Sequence, residues 1–221
     1  DNRRSRGLGD VYKRQQWVYP RELGKAGYQT ALIGKWHLKG NPTDEFQHWD
    51  ILSGKGGQGS YFNPVFLSAK GEKRSLGHST KIITDKTLKW LKERDKKMPF
   101  LVCAQYKTPH IHRLPLPKFM GQYDQVDFPV PHTFFDNFST RSSFVSENWM
   151  ALKGMKGHVL NIAPTESEID ANPKLMPSFL REMTAPQRAA WHQAYDPRNL
   201  KMKELAVSYT HLRAHETFGY L

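Results

Sequence analysis

The chain has 221 residues, and 12% of them are aromatic. That is enough for a domain with a real hydrophobic core, and the scattered Pro and Gly exclude a disordered tail. The formal charge is +12, yet no zinc-finger spacing, aromatic–basic RNA signature or basic heptad accompanies it. Nucleic acid is therefore set aside as a partner, and a small acidic substrate such as a sulfate or phosphate ester suits the charge as well. The single cysteine, Cys103, excludes an internal disulfide and sits in an apolar run as a small buried hydrophobe. No apolar run is long enough to span a membrane.

Both ends read as foreign to the rest. Residues 1–16 begin with Arg3, Arg4 and Arg6 and show no periodicity, and residues 206–221 are equally patternless. Both resemble translated scars at the ends of open reading frames, and the expectation is that they pack against nothing in the fold. The organised part is expected over 17–205.

In chain order, residues 17–27 predict a short helix closed by Gly27. The continuous apolar run Thr30 to Gly34 predicts a buried parallel strand. Residues 40–64, rich in Gly, Asn, Asp and Pro, predict a long loop, with short strands at Phe46–Ile51 and Tyr61–Leu67. Residues 80–94 give the clearest helix: Ile83, Thr87, Trp90 and Leu91 share a face, and Asp85 to Lys89 is a well-oriented i,i+4 pair. Pro99 stops it, and residues 100–105 (FLVCAQ) predict a second buried strand. Residues 108–148 read as a long active-site loop or lid. Thr184 to Gln187 forms a capping box that opens a helix through Tyr195. A helix followed by a buried strand, as at 80–94 and 100–105, is the repeating unit of a doubly wound α/β sheet.

Three stretches carry chemistry. If extended backbone continues past Gly34, Lys35 and His37 project together at a strand's C-terminal end, where open α/β sheets place ligands. An ammonium beside an imidazole suits a tetrahedral oxyanion. A surface lysine and a packed histidine are the commoner outcome for such spacing. His110 follows Lys107-Thr108-Pro109 just beyond the second strand and could serve as a general acid. A turn histidine without a role is the blander alternative there, and with His112 it makes a His-x-His pair that can also mean metal, although no third ligand lies near in sequence. The Gly-rich loop 56–64 (GGQGSYFNP) can present N–H groups to an anion, or is simply a tight loop.

Taken together, GYQTALIGKWHL (27–38) resembles the second signature of the type I, formylglycine-dependent sulfatases, of the alkaline-phosphatase-like superfamily. FQHWDIL (46–52), GQGSYFNP (57–64) and PFLVCAQYKTPH (99–110) follow in the family's order. MTAPQRAAW and AYDPRN, within 183–199, resemble bacterial mucin-desulfating and N-acetylglucosamine-6-sulfatase-type enzymes. The resemblance covers about residues 17–205 and implies a partial alkaline-phosphatase-like α/β fold, with a mixed, mostly parallel sheet flanked by helices. It implies that Lys35 binds sulfate and the nucleophile, that His37 takes the proton of a formylglycine diol, and that His110 contacts sulfate and protonates the leaving oxygen. Gln58, Ser60, Asn63 and His112 are then candidate substrate contacts.

The departures are as informative. No C/S-x-P-x-R motif is present, and Cys103, followed by Ala104, Gln105 and Tyr106, cannot supply one. The acidic calcium ligands that precede the family's nucleophile are absent, as is the later Asp-His/Asn pair. His110 is followed by Ile111-His112 where relatives often carry Arg-Asn. The expectation is an internal fragment, inactive alone and incomplete at both ends. Its intact parent would remove sulfate from a glycan, with 6-sulfated N-acetylglucosamine one candidate. That parent would use calcium, a formylglycine-generating or anaerobic maturase, and a periplasmic or secreted location. The alternatives are a phosphate or phosphonate ester hydrolase of the same superfamily and a non-catalytic binder of anionic glycans.

Overall fold

The computed structural model describes residues 17–38, 40–133, 136, 138–147 and 162–215, with backbone alone at 146 and 205–215. Of the ends expected at 1–16 and 206–221, residues 1–16 and 216–221 lie outside the described residues, and 206–215 are described by backbone alone, as the end of a helix. The chain divides into two compact units, Asp1–Pro109 and His110–Leu221.

The first unit is built on a sheet of order β4-β3-β2-β1-β5. Its strands are β1 (Gln29–Gly34), β2 (His48–Leu52), β3 (Val65–Ser68), β4 (Gly71–Arg74) and β5 (Phe100–Gln105). β2, β1 and β5 are mutually parallel, and β3 and β4 add an antiparallel hairpin. Because β1 has a neighbour on each side and helices nearby, its apolar run is buried throughout: Ala31, Leu32 and Ile33 are fully inaccessible. Alternation sends Leu32 into a cluster with Phe46, Trp49 and Ile51, and Ile33 into another with Leu52, Phe66 and Ile83.

Helix α1 (Tyr19–Lys25) ends where expected, with Gly27 at φ 89°. Helix α2 (Ser79–Glu93) buries Ile83 and Thr87 on one face. Its N-cap is His78, whose Nδ1 accepts from Thr80 N at 3.3 Å. The expected Asp85–Lys89 pair does not form. Asp85 pairs with Lys81 at 2.6 Å, and Lys89 pairs with Glu93 at 3.8 Å, so each cation meets the acid that follows it. Lys86 instead reaches the sheet, pairing with Asp50 and lying over Phe66 at 4.7 Å.

Two further departures have physical causes. β4 gave no signal because all four of its residues, Gly71-Glu72-Lys73-Arg74, are exposed. It exists through its register with β3 rather than through burial. Cys103 is only half-buried, since β5 pairs with β1 alone among the described strands. Its Sγ lies 3.7 Å from Tyr19 Oη, a hydrogen bond that raises the phenol's pKa, with the nearby thiol's charge and burial adding to it.

The second unit is helical among its described residues: α3 (Ser143–Ser146), α4 (Glu166–Ala171), α5 (Ser178–Arg181) and α6 (Ala185–His215), with 3₁₀ turns at Pro117–Phe119 and Pro173–Leu175. The 108–133 stretch carries only the first of these turns. Helix α6 opens on the expected capping box: Thr184 N donates to Gln187 Oε1 at 2.8 Å, and Gln187 N to Thr184 Oγ1 at 3.4 Å. It does not stop at Tyr195. It runs through Pro197, which removes one helical N–H donor, and residues beyond it still pack: Asn199 is buried and Lys203 pairs with Glu168. Helix α4 begins with its own capping box between Thr165 and Glu168. Trp191, fully buried, stacks on Tyr195 at 5.1 Å and meets Phe179 edge-on at 5.5 Å.

Candidate active site

The C-terminal ends of the parallel strands β1 and β5 lie side by side, with Gly34 opposite Gln105. The backbones come so close there that a Cβ on Gly34 would sit 2.0 Å from Gln105 O, and Gly34 adopts φ 112°. Only glycine fits both demands. The extended run therefore ends at Gly34, and the alternation argument for Lys35 and His37 stops with it. Lys35 is instead tied by its backbone, donating N–H to Gln105 O at 2.6 Å. Its side chain is half-buried; His37 is exposed.

His37 lines an open cleft of about 490 Å³ with Trp36, Leu38, Leu52, Ser53 and Gly54 among its walls. The loop after β2 folds back over this strand end. It carries a 3₁₀ turn at Lys55–Gly57 and brings Gln58 Nε2 to 3.2 Å from His37 Nε2. Gly57 makes this approach possible: at φ 81°, a Cβ on it would lie 1.9 Å from Trp36 O. Farther along the same loop Ser60 is half-buried and Asn63 is buried. The Asn63 carboxamide accepts from Gly77 N at 2.9 Å and its backbone carbonyl accepts from Arg74 at 3.1 Å, so that side chain holds the loop from behind.

A residue the sequence reading passed over is Lys107. Only 7% exposed, it donates Nζ to Gln58 O at 3.3 Å and lies 5.3 Å from the Tyr61 ring centre. It stands in the quoted PFLVCAQYKTPH stretch, but the burial of an ammonium is a tertiary fact with no local signature. The chain beyond β5 is anchored to α2 by Tyr106 Oη to Thr84 Oγ1 and by Thr108 Oγ1 to Thr80 Oγ1, both at 3.0 Å.

His110 and His112 open the second unit. His110 is exposed, with Nδ1 2.7 Å from Ile111 O. His112 is half-buried, its ring 4.7 Å from that of Phe179. The structure thus brings His37 and Gln58 into contact, with Lys35 two residues before His37, and sets the two later histidines in the other unit.

Among the described residues no three His, Cys, Asp or Glu side chains gather to hold a metal ion. The calcium implied by the resemblance has no fitting donor set among them.

A mixed α/β sheet whose central parallel strand ends in a Lys-x-His, folded over by a Gly-rich loop, defines an α/β chain with a basic strand-end site. The Sulfatase family model matches residues 20–196, and the chain belongs to the sulfatase family, with its alkaline-phosphatase-like fold. An N-acetylglucosamine-6-O-sulfatase of Bacteroides thetaiotaomicron is 33% identical over 190 residues, covering 85% of this chain and 34% of that enzyme. The structure of BT4656 in complex with its substrate D-glucosamine-2-N,6-O-disulfate superposes with a TM-score of 0.78 at 33% identity, covering 86% of this chain and 39% of that one. The chain therefore spans little more than a third of the length of the relatives it matches.

Proposed function

We propose that this chain supplies the sulfate-positioning part of a sulfuric ester hydrolase acting on a sulfated amino sugar. The observation that carries the reading is the strand-end arrangement of Lys35 and His37 under the Gln58 loop. The names of the two relatives, which act on or bind 6-O-sulfated glucosamines, support the substrate class. In this reading Lys35 supplies fixed positive charge to a sulfate oxygen, where a preorganised donor is worth more than solvent. His37 exchanges a proton with the attacking hydroxyl, and His110 donates one to the departing sugar oxygen, so that the S–O bond breaks toward a neutral alcohol. Ser60 and His112 contact the sugar, and Gln58 and Asn63 act from within the loop.

Formylglycine would supply the nucleophile. This sequence contains no C/S-x-P-x-R motif from which it could be made. Turnover is accordingly proposed for the whole protein, together with a maturase partner and a periplasmic or secreted location. Among the described residues no helix is long and apolar enough to cross a membrane.

The test is to produce the whole protein with a formylglycine-generating enzyme and assay it on N-acetylglucosamine-6-sulfate. Lys35→Ala, His37→Ala and His110→Ala should each lower kcat/KM by about 10² or more. Turnover of phosphate esters with none on sulfate esters would instead favour the phosphate-ester reading.

A further inference from the structure

We propose that Gln58 and Lys107 are positioning residues that fix which ring nitrogen of His37 carries the proton. The proposal rests on the sulfatase reading only in giving that proton a use.

The geometry forms a chain of three contacts within the first unit. An ammonium buried as deeply as that of Lys107 needs polar partners, and Gln58 O and the Tyr61 ring face supply two of them. Lys107 leaves the end of β5, so its hydrogen bond ties the Gln58 backbone to the sheet. On the other side Gly57 lies against the Trp36 carbonyl with no room for a side chain. Residue 58 is thus held from two directions, and its side chain meets His37.

The Gln58 amide nitrogen lies 3.2 Å from His37 Nε2, while Gln58 Oε1 is enclosed without a partner among the described residues. An amide N–H can only donate, so His37 Nε2 accepts and the neutral ring holds its proton on Nδ1. The ring then donates through Nδ1. It takes up a second proton at Nε2 only after the Gln58 hydrogen bond breaks. An unpartnered Oε1 is costly to enclose, and such a cost persists where the surrounding structure enforces it.

The experiment is a long-range ¹H–¹⁵N correlation spectrum of the 221-residue chain above the imidazole titration range, with His37 assigned by the signals lost in His37→Asn. The expected native pattern is a protonated Nδ1 and an unprotonated Nε2. Gln58→Leu and Lys107→Met should both replace it with the averaged pattern of free imidazole. Gln58→Glu, which can only accept as a carboxylate, should move the proton to Nε2, an inversion that a purely structural loop residue would not produce. A native pattern with the proton on Nε2, or an unchanged pattern in both Gln58 variants, would overturn the proposal. An unchanged pattern in a folded Lys107→Met chain, or in Lys107→Ala if the first does not fold, would remove Lys107 from it. The readout needs no turnover, so a whole protein inactive on sulfate esters would leave this result standing.

Discussion

The sheet unit and the helical unit are held by different kinds of force. In residues 17–109 the central strand sends successive side chains into two apolar clusters, Leu32 into one and Ile33 into the other. Hydrophobic burial there is large and insensitive to angle. In the second unit the described core is smaller and more directional. Trp191 stacks on Tyr195 and meets Phe179 and His192 edge-on. Around it Asp196 accepts from Glu166 N and meets His192 Nδ1, both at 2.9 Å. The sheet can therefore carry a cleft and a strained loop at one end without losing its core, whereas the helical unit depends on a few aromatic and polar contacts.

The largest expected effects test that contrast directly. Trp191→Ala should cost about 3–5 kcal/mol and Leu32→Ala about 2–5 kcal/mol. Their reach should differ. Hydrogen exchange should accelerate across β1, β2, β3 and β5 in Leu32→Ala, since all four strands contribute to that cluster. In Trp191→Ala it should accelerate in α5 and α6. Exchange spreading equally through both units in either variant would erase the distinction.

A smaller effect belongs to the loop that covers the site. Gly57→Ala places a Cβ against the Trp36 carbonyl and forces an L-residue into φ 81°. Left-handed strain of this kind costs about 1–3 kcal/mol. The loop should lift, with chemical-shift changes at Trp36, His37 and Gln58 and none in β3 and β4. Full native shifts at His37 would show that the cleft does not depend on the loop's close approach.

Which parts were legible from sequence follows the same division of forces. β1, β5 and α2 could be read because apolar residues leave a local pattern: a continuous buried run at Ala31, Leu32 and Ile33, another at 101–104 that the fold only half-buries, and one helix face at Ile83 and Thr87. β4 could not, since Glu72, Lys73 and Arg74 are exposed and the strand is specified only by its partner. The start of α4 carried a readable signal in Thr165 and Glu168 that was passed over, while the same kind of box at Thr184 was read. At the site, Lys35 and His37 were found from their position after an apolar run. The turn at Gly34 was not, because it arises from the approach of a strand 71 residues away in sequence. Lys107 was missed for the same reason: nothing local distinguishes a lysine that will be buried from one that will not.

The capping box of α4 gives an effect of intermediate size with a pH signature. Thr165→Ala should cost about 1 kcal/mol. The Glu168 carboxyl is held below the usual carboxylate range, chiefly by its hydrogen bond to Lys203 and next by the Thr165 N–H. A group depressed in the folded state contributes stability above its unfolded pKa and loses it as pH falls through the lower folded value. Helix α4 should therefore loosen on acidification below about pH 4.3, the ordinary glutamate value, while β1 and β5 keep their protection. Glu168→Gln should abolish the pH step. A step that survives in that variant would place its origin elsewhere.

The smallest effect lies on the exposed face of α2 and separates two kinds of ion pair within one helix. Lys81–Asp85 is short, at 2.6 Å, but its side chains are 67% and 57% exposed. It also has the cation N-terminal to the acid, the less favourable order along a helix. A double-mutant cycle on this pair should give no more than about 0.3–0.5 kcal/mol, and about 1 M salt should remove most of it. Lys86–Asp50 joins the same helix to β2 with side chains 30% and 17% exposed, and the Lys86 ammonium also lies over Phe66. Poorer access for counterions and the aromatic face beneath it should make its coupling larger than that of Lys81–Asp85 and less sensitive to salt. Denaturant unfolding of both cycles at low and high salt measures the difference. Equal couplings with equal salt dependence would mean that α2 is not fixed to the sheet through Lys86, and that Ile83 and its apolar neighbours hold the helix alone.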